Sequence, residues 1–308
     1  MKKIISAAFA AIILTVSLCS CSLFGSNKPA LVIAGTPVDA EIYNYYLDKV
    51  TGRPADYGLD ESPKKSELED AAIGLCKRYV ALNTNFALHN LTLSTSDKVN
   101  ISDNVNNHWM RFRNHYESIS VSKQTLTKVF TSDAYEDAIF SAIYDRGVTD
   151  SAQEKEIKDY FYKNYTAFRS VCEYFTKDDG TTVTESEKQE IINNFNRISA
   201  LSGDTAESYT QACNDLGYYS SDVVIIGRTS EGYPDGFFES VYAQSDNSVR
   251  VTEYDDCVFA VRKESLKELG ESVFAAYRSS LIKEMYNEEW QNTLDEFIER
   301  FTLDSKNI

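Results

Sequence analysis

Ser170-Val171-Cys172-Glu173-Tyr174-Phe175-Thr176 is the stretch at which the texture of this chain changes. It reads as a β-strand, rich in β-branched and aromatic residues, and Asp178-Asp179-Gly180 behind it reads as a turn. Thr184 and Glu187 then form a capping-box pattern that opens a helix with Ile191, Phe195 and Ile198 turned inward. A short helix over Glu207–Cys213, a β-branched run at Val223–Ile226, a short helix at Phe237–Tyr242 and a strand at Asp256–Val261 complete a βααβαβ unit.

Outward from this unit the spacing is helical on both sides. Towards the N-terminus, Leu31–Ala34 reads as a short strand and Gly35-Thr36-Pro37 as a turn. Asp39 is placed as a helix N-cap, with Val38 and Tyr43 positioned as a hydrophobic staple. Apolar stripes predict helices through Ile42–Val50, Ser66–His89, Ser96–Tyr116, Lys123–Val129, Ser132–Tyr144 and Thr149–Tyr165. From Glu264 to the end the pattern is again helical, with Val273, Tyr277, Leu281, Met285, Trp290, Leu294, Phe297 and Phe301 on one side. Such a stripe must be buried against something, and the N-terminal helices also need a partner. Both needs are met if the last helix returns to the first ones and residues 166–263 are an insertion.

The extreme N-terminus predicts a targeting segment. Lys2 and Lys3 precede an apolar run from Ile4 to Leu18, shorter than the roughly 20 residues that span a bilayer. Leu18-Cys19-Ser20-Cys21 resembles the lipobox of bacterial lipoproteins, which implies cleavage after residue 20, a diacylglycerol thioether on Cys21, and a tether over 21–30. Two acyl chains suffice for stable anchoring. Loss of residues 1–20 removes two lysines and no acid, taking the formal charge from −16 to −18. That acidity argues against nucleic acid as a partner.

The remaining cysteines, Cys76, Cys172, Cys213 and Cys257, form no CxxC, so no metal or redox motif is indicated. His108 and His115 are seven residues apart, about 10.5 Å along a helix, too far to share one metal ion. No metal and no cofactor is expected.

Two segments carry a family resemblance. Val32-Ile33-Ala34-Gly35-Thr36-Pro37-Val38-Asp39-Ala40-Glu41-Ile42-Tyr43-Asn44-Tyr45-Tyr46-Leu47 resembles the opening of SurA- and PrsA-type chaperone domains. Tyr144-Asp145-Arg146-Gly147-Val148 and Ile157-Lys158-Asp159-Tyr160-Phe161-Tyr162-Lys163-Asn164-Tyr165 are similar to the junction before the parvulin domain of PrsA-like foldases. The resemblance implies an α+β protein. A helical chaperone lobe (31–165, completed by a C-terminal helix over 264–308) would carry an inserted parvulin-like domain (166–263) with a small antiparallel sheet. It further implies a lipid-anchored protein on the outer face of the cytoplasmic membrane that binds unfolded secreted polypeptides, with a homodimer left open.

Parvulin prolyl isomerases carry a histidine in the first strand and another in the last. Here Cys172 stands at the first position and Val258 or Phe259 at the second, and His89, His108 and His115 all fall in the helical part. Phe238-Glu239-Ser240-Val241-Tyr242 resembles the family helix whose Phe lines the proline pocket, and Ser221 or Asp222 falls near a further family position. Cys172, Asp222 and Phe238 are therefore the candidates for catalysis, and Tyr174, Phe238 and Tyr242 for client binding. An isomerase weakened or silenced by loss of both imidazoles is the leading expectation. An active isomerase, a solute-binding lipoprotein and a non-enzymatic surface protein are the rivals, although a solute-binding protein calls for two βαβ lobes that the helical flanks do not supply.

Overall fold

Leu31 and Ile33 are fully buried and Val32 between them is half-buried, so a three-residue strand is enough to anchor the head of the chain. In the computed structural model, which describes residues 29–308, this strand β1 (Leu31–Ile33) pairs antiparallel with β2 (Thr36–Val38). Ala34 and Gly35 both have left-handed backbone, at φ 47° and 74°, which is the turn geometry a two-residue hairpin requires. The proposed signal segment and Cys21 lie outside the described residues.

The sequence places Thr36 and Pro37 in a turn, and reads the tail as helix to the end of the chain. Both expectations are corrected. The last helix, α9, covers Glu271–Ile298, and the chain then forms a strand, β7 (Leu303–Lys306), on the other edge of β1. The sheet order is β2-β1-β7. Strands this short, one of them the polar Leu-Asp-Ser-Lys, are held by backbone pairing and carry no readable periodicity. The seam is reinforced where the Gly35 amide donates to Asp304 Oδ2 (2.6 Å) and Lys306 Nζ meets Glu69 (2.6 Å).

Four helices follow: α1 (Ala40–Gly52), α2 (Lys65–Leu88), α3 (Thr95–Ser118) and α4 (Lys123–Tyr144). The core that α1, α2 and α4 share includes Ile42, Tyr43, Tyr46, Ala72, Cys76, Val80 and Val129, packed on β1 and β2, while α3 packs through Ile101, Val105 and Tyr116 against Leu126. Asp39 is at the N-cap of α1, but its carboxylate takes Lys128 Nζ (2.8 Å) instead of a backbone amide. Glu41 caps the neighbouring helix. Its Oε2 accepts from the Ser122 amide (2.9 Å), the Ser122 hydroxyl (2.5 Å) and the Thr125 hydroxyl (2.5 Å). The expected break at residues 130–131 does not occur. No glycine or proline stands there, and the buried Ser132 hydroxyl is engaged by Asn83 Nδ2 (3.0 Å), so α4 is continuous.

The chain divides into two compact units. One comprises the described residues to Asp145 together with Tyr286–Ile308, the other Arg146–Met285. This division falls elsewhere than at 165/166 and 263/264, because α5 (Ser151–Asn164) and the first half of α9 pack with each other in the second unit. Phe161 on α5 lies 6.1 Å from Phe274 and 5.5 Å from Tyr277, centroid to centroid, and Arg278 Nε pairs with Glu154 (2.5 Å). In the first unit the second half of α9 docks through Trp290, whose Nε1 donates to Glu136 (3.2 Å) and whose ring meets Phe140 edge-on (6.0 Å).

The second unit is built on a four-stranded antiparallel sheet. Its order is β4 (Val224–Gly227), β3 (Tyr165–Tyr174), β6 (Cys257–Glu264), β5 (Val249–Glu253). Strand β5, which had not been expected, exposes or half-exposes every residue and so shows no clean alternation. Helices α6 (Glu185–Leu201) and α7 (Ala206–Asp215) cover one face, burying Phe195, Ile198 and Tyr209 against Val171, Val258 and Ala260. The Thr184–Glu187 capping box forms as read. Helix α8 (Phe237–Tyr242) covers the opposite face. Helices and two small antiparallel sheets make the protein α+β.

Candidate functional site

Register fixes what the α8-covered face of the sheet contains. Cys172 stands opposite Phe259, and Tyr174 opposite Cys257, so these four share one face of the sheet. Val258 packs beneath α6 and α7, and Phe259 faces α8. On this face the chain presents a thiol beside a phenyl ring.

The face is also full. Phe237, 1% exposed, lies 4.8 Å from Phe259, 5.2 Å from Phe168 and 4.6 Å from Tyr233. Tyr254 closes on Phe259 edge-on at 6.0 Å. Phe238 and Cys172 belong to this same cluster, so the structure does bring those two candidates together. Phe238 is only 7% exposed and stacks on Tyr242 at 5.5 Å, with the Arg228 guanidinium 4.8 Å above its ring. Tyr174, by contrast, is 57% exposed at the end of β3. Asp222 is exposed on the approach to β4, while its neighbour Ser221 binds the backbone of β3 through Ser170 at 2.8 and 3.0 Å.

Cys172 and Cys257 are free thiols in contact across β3 and β6. Burial pushes Cys172 up to about 11, and burial, together with the adjacent Asp256, pushes Cys257 up to about 12. At neutral pH both are protonated, the unreactive form of a cysteine. The histidines sit in the first unit: His108 Nδ1 contacts the Tyr116 hydroxyl (3.3 Å) and His115 Nε2 contacts Asp48 (2.9 Å). Among the described residues no group of His, Cys, Asp and Glu is arranged to hold a metal.

The helical unit contains open space that sequence reading did not anticipate. A cavity of about 580 Å3 lies between the end of α2, the start of α3 and α4. Phe86, Leu91, Leu93, Ile101, Val105 and Tyr135 line it, and Lys98 and Lys123 stand among them. Phe86 and Tyr135 stack at 3.7 Å and form a flat aromatic wall. Ile101 also borders a second cavity of about 610 Å3, walled by Tyr45 and Phe130 and carrying Asp97, Asp133 and Asp137. Phe86 belongs to the periodic stripe of α2, but three segments distant in sequence must meet before a cavity exists.

No protein-family model and no curated protein matches this chain. Among solved structures it is similar to the foldase protein PrsA of Streptococcus pneumoniae, at 11% identity over 83% of this chain and 86% of that one, with a TM-score of 0.40. It is also similar to the foldase protein PrsA of Lactococcus lactis (11% identity, 85% and 89%, TM-score 0.39) and to PrsA of Bacillus subtilis (9% identity, 76% and 84%, TM-score 0.28). No helix among the described residues is long and apolar enough to cross a membrane.

Proposed function

We propose that this chain is a lipid-anchored extracytoplasmic foldase that works by holding unfolded secreted polypeptides, and that its sheet unit is a parvulin-like domain without isomerase turnover. The observation that carries this reading is the apolar cavity of about 580 Å3 in the helical unit, aromatic-walled and open, with two lysines at hand for acidic client residues. Contacts of this kind are sequence-tolerant, which suits a client set defined by exposed apolar segments. The pronounced negative charge of the chain supports solubility and keeps nucleic acid away.

Absence of turnover follows from chemistry. Prolyl isomerisation must cross a barrier of about 18–20 kcal/mol. Lowering it requires a vacant apolar pocket and polar groups around the twisting amide. In this sheet unit the corresponding face holds Phe237, Phe259 and a protonated Cys172.

Light scattering of a chemically denatured client diluted into buffer tests the holding activity. Suppression of aggregation by the mature protein at several-fold molar excess is expected, and undiminished aggregation overturns the reading. Anchoring is tested separately by metabolic labelling with palmitate. Label should enter the wild type and be lost in Cys21→Ser, with the protein released from the membrane fraction.

A further inference from the structure

At the Thr166–Lys263 end of its α8-covered face the sheet unit contains a cavity of about 300 Å3. Tyr162, Tyr165 and Tyr242 supply ring surface, and Thr166, Lys263 and Lys267 supply polar groups. Thr166 is 1% exposed, and its hydroxyl has no hydrogen-bond partner. A buried hydroxyl left unpaired is costly and uncommon in a folded protein, and here it belongs to a residue lining an open space.

The other charges around the cavity are committed. Lys263 Nζ donates to the carbonyls of Tyr242 (2.8 Å) and Gln244 (2.7 Å) and pairs with Asp246 (3.4 Å), which uses its three protons. Glu264 forms ion pairs with Arg262 (2.6 Å) and Arg169 (3.2 Å), and its buried Oε1 makes no hydrogen bond. Lys267 remains: it is exposed, and its ammonium lies 5.7 Å from the centre of the Tyr162 ring. What the cavity lacks is an anion for Lys267, an oxygen acceptor for Thr166 and an apolar body for the tyrosines.

We infer that this cavity takes the free C-terminal residue of a polypeptide. Its carboxylate is neutralised by Lys267, one of its oxygens accepts from the Thr166 hydroxyl, and its apolar side chain lies against the tyrosine rings. A chain terminus is the one place where a polypeptide carries a carboxylate and an apolar side chain on the same residue. The inference rests on the polypeptide-binding reading above and adds a specific recognition mode to it.

Fluorescence anisotropy with the mature protein and two labelled hexapeptides of one sequence ending in Phe, one with a free carboxylate and one amidated, tests this. The free acid is expected to bind saturably, at least tenfold more tightly than the amide, and increasing salt should narrow that gap. Lys267→Gln should abolish the preference. Thr166→Val should weaken binding of the acid by three- to tenfold while leaving the melting temperature unchanged or higher, because the hydroxyl has no partner to lose. Equal binding of acid and amide, no saturable binding, or full binding by both variants overturns the inference. Aggregation suppression measured on the same preparations separates this failure from failure of the holding activity, since a protein that still protects clients but ignores the peptide terminus refutes only the terminus site.

Discussion

The α8-covered face of the sheet and the cavity between α2, α3 and α4 are built from the same kinds of residue and end in opposite states. Phe237 packs on both Phe168 and Phe259, and the three rings fill their face. Phe86, Leu91, Ile101 and Tyr135 meet with room to spare. The difference comes from what each set is mounted on. Phe168 and Phe259 stand four residues apart in register on adjacent strands, and α8 presses Phe237 into the gap between them. Helix ends joined by a loop diverge, and the Leu91–Leu93 segment bridges the gap without closing it. A face that has filled itself contributes stability, whereas an open one is free to bind.

This contrast can be broken most severely from the filled side. Phe237→Ala should destabilise the sheet unit by about 3–5 kcal/mol, read from urea unfolding, because a fully buried ring is replaced by a cavity among rigid neighbours. A loss under about 1 kcal/mol would mean the face is loosely packed. Next in size is Glu41→Gln. Burial alone raises the Glu41 carboxyl, but hydrogen bonds from Ser122 and Thr125 and the nearby Lys128 outweigh it, and the net direction is downward. The ionised form is therefore favoured in the fold. Its contribution is present above the ordinary glutamate range and is lost as pH falls through the lowered folded value. The substitution should cost about 1–2 kcal/mol at pH 7 and flatten the acid limb of the stability profile in thermal melts.

From the open side, Leu91→Asn should weaken client binding about tenfold, or about 1.4 kcal/mol, with little change in melting temperature. Titration of a labelled unfolded client measures this, and unchanged affinity would take the cavity out of the binding surface. The smallest expected effect is none. In a protease-coupled peptide assay the wild type and Cys172→Ala should both run at the uncatalysed rate. Alkylation of the Cys172 thiol should be slow at pH 8 and quicken only as pH approaches about 11.

Much of the layout was legible in the residues. The Thr184–Glu187 box and the helix at Phe237–Tyr242 follow from local pattern. The misreadings share a cause. Strand β7 and strand β2 are too short and too polar to announce themselves, and the break assigned within α4 placed local weakness of Thr131 and Ser132 above the tertiary bond from Asn83. The roles of Cys172 and Phe238 were legible as positions and not as environments, since burial is a property of neighbours.

By itself the sequence determined most of the helices and the two central strands of the sheet unit, that the tail carries an unpartnered apolar stripe, and that no histidine lies in residues 166–263. Those depend on intrinsic preference and on period along the chain, which are local quantities. Only the tertiary structure decided that Phe259, not Val258, faces Cys172, that the tail ends as a strand on β1, and that one aromatic face is sealed while a cavity elsewhere is open. Register, closure and empty volume arise where distant segments meet, and their energies are set by packing between residues far apart in the chain.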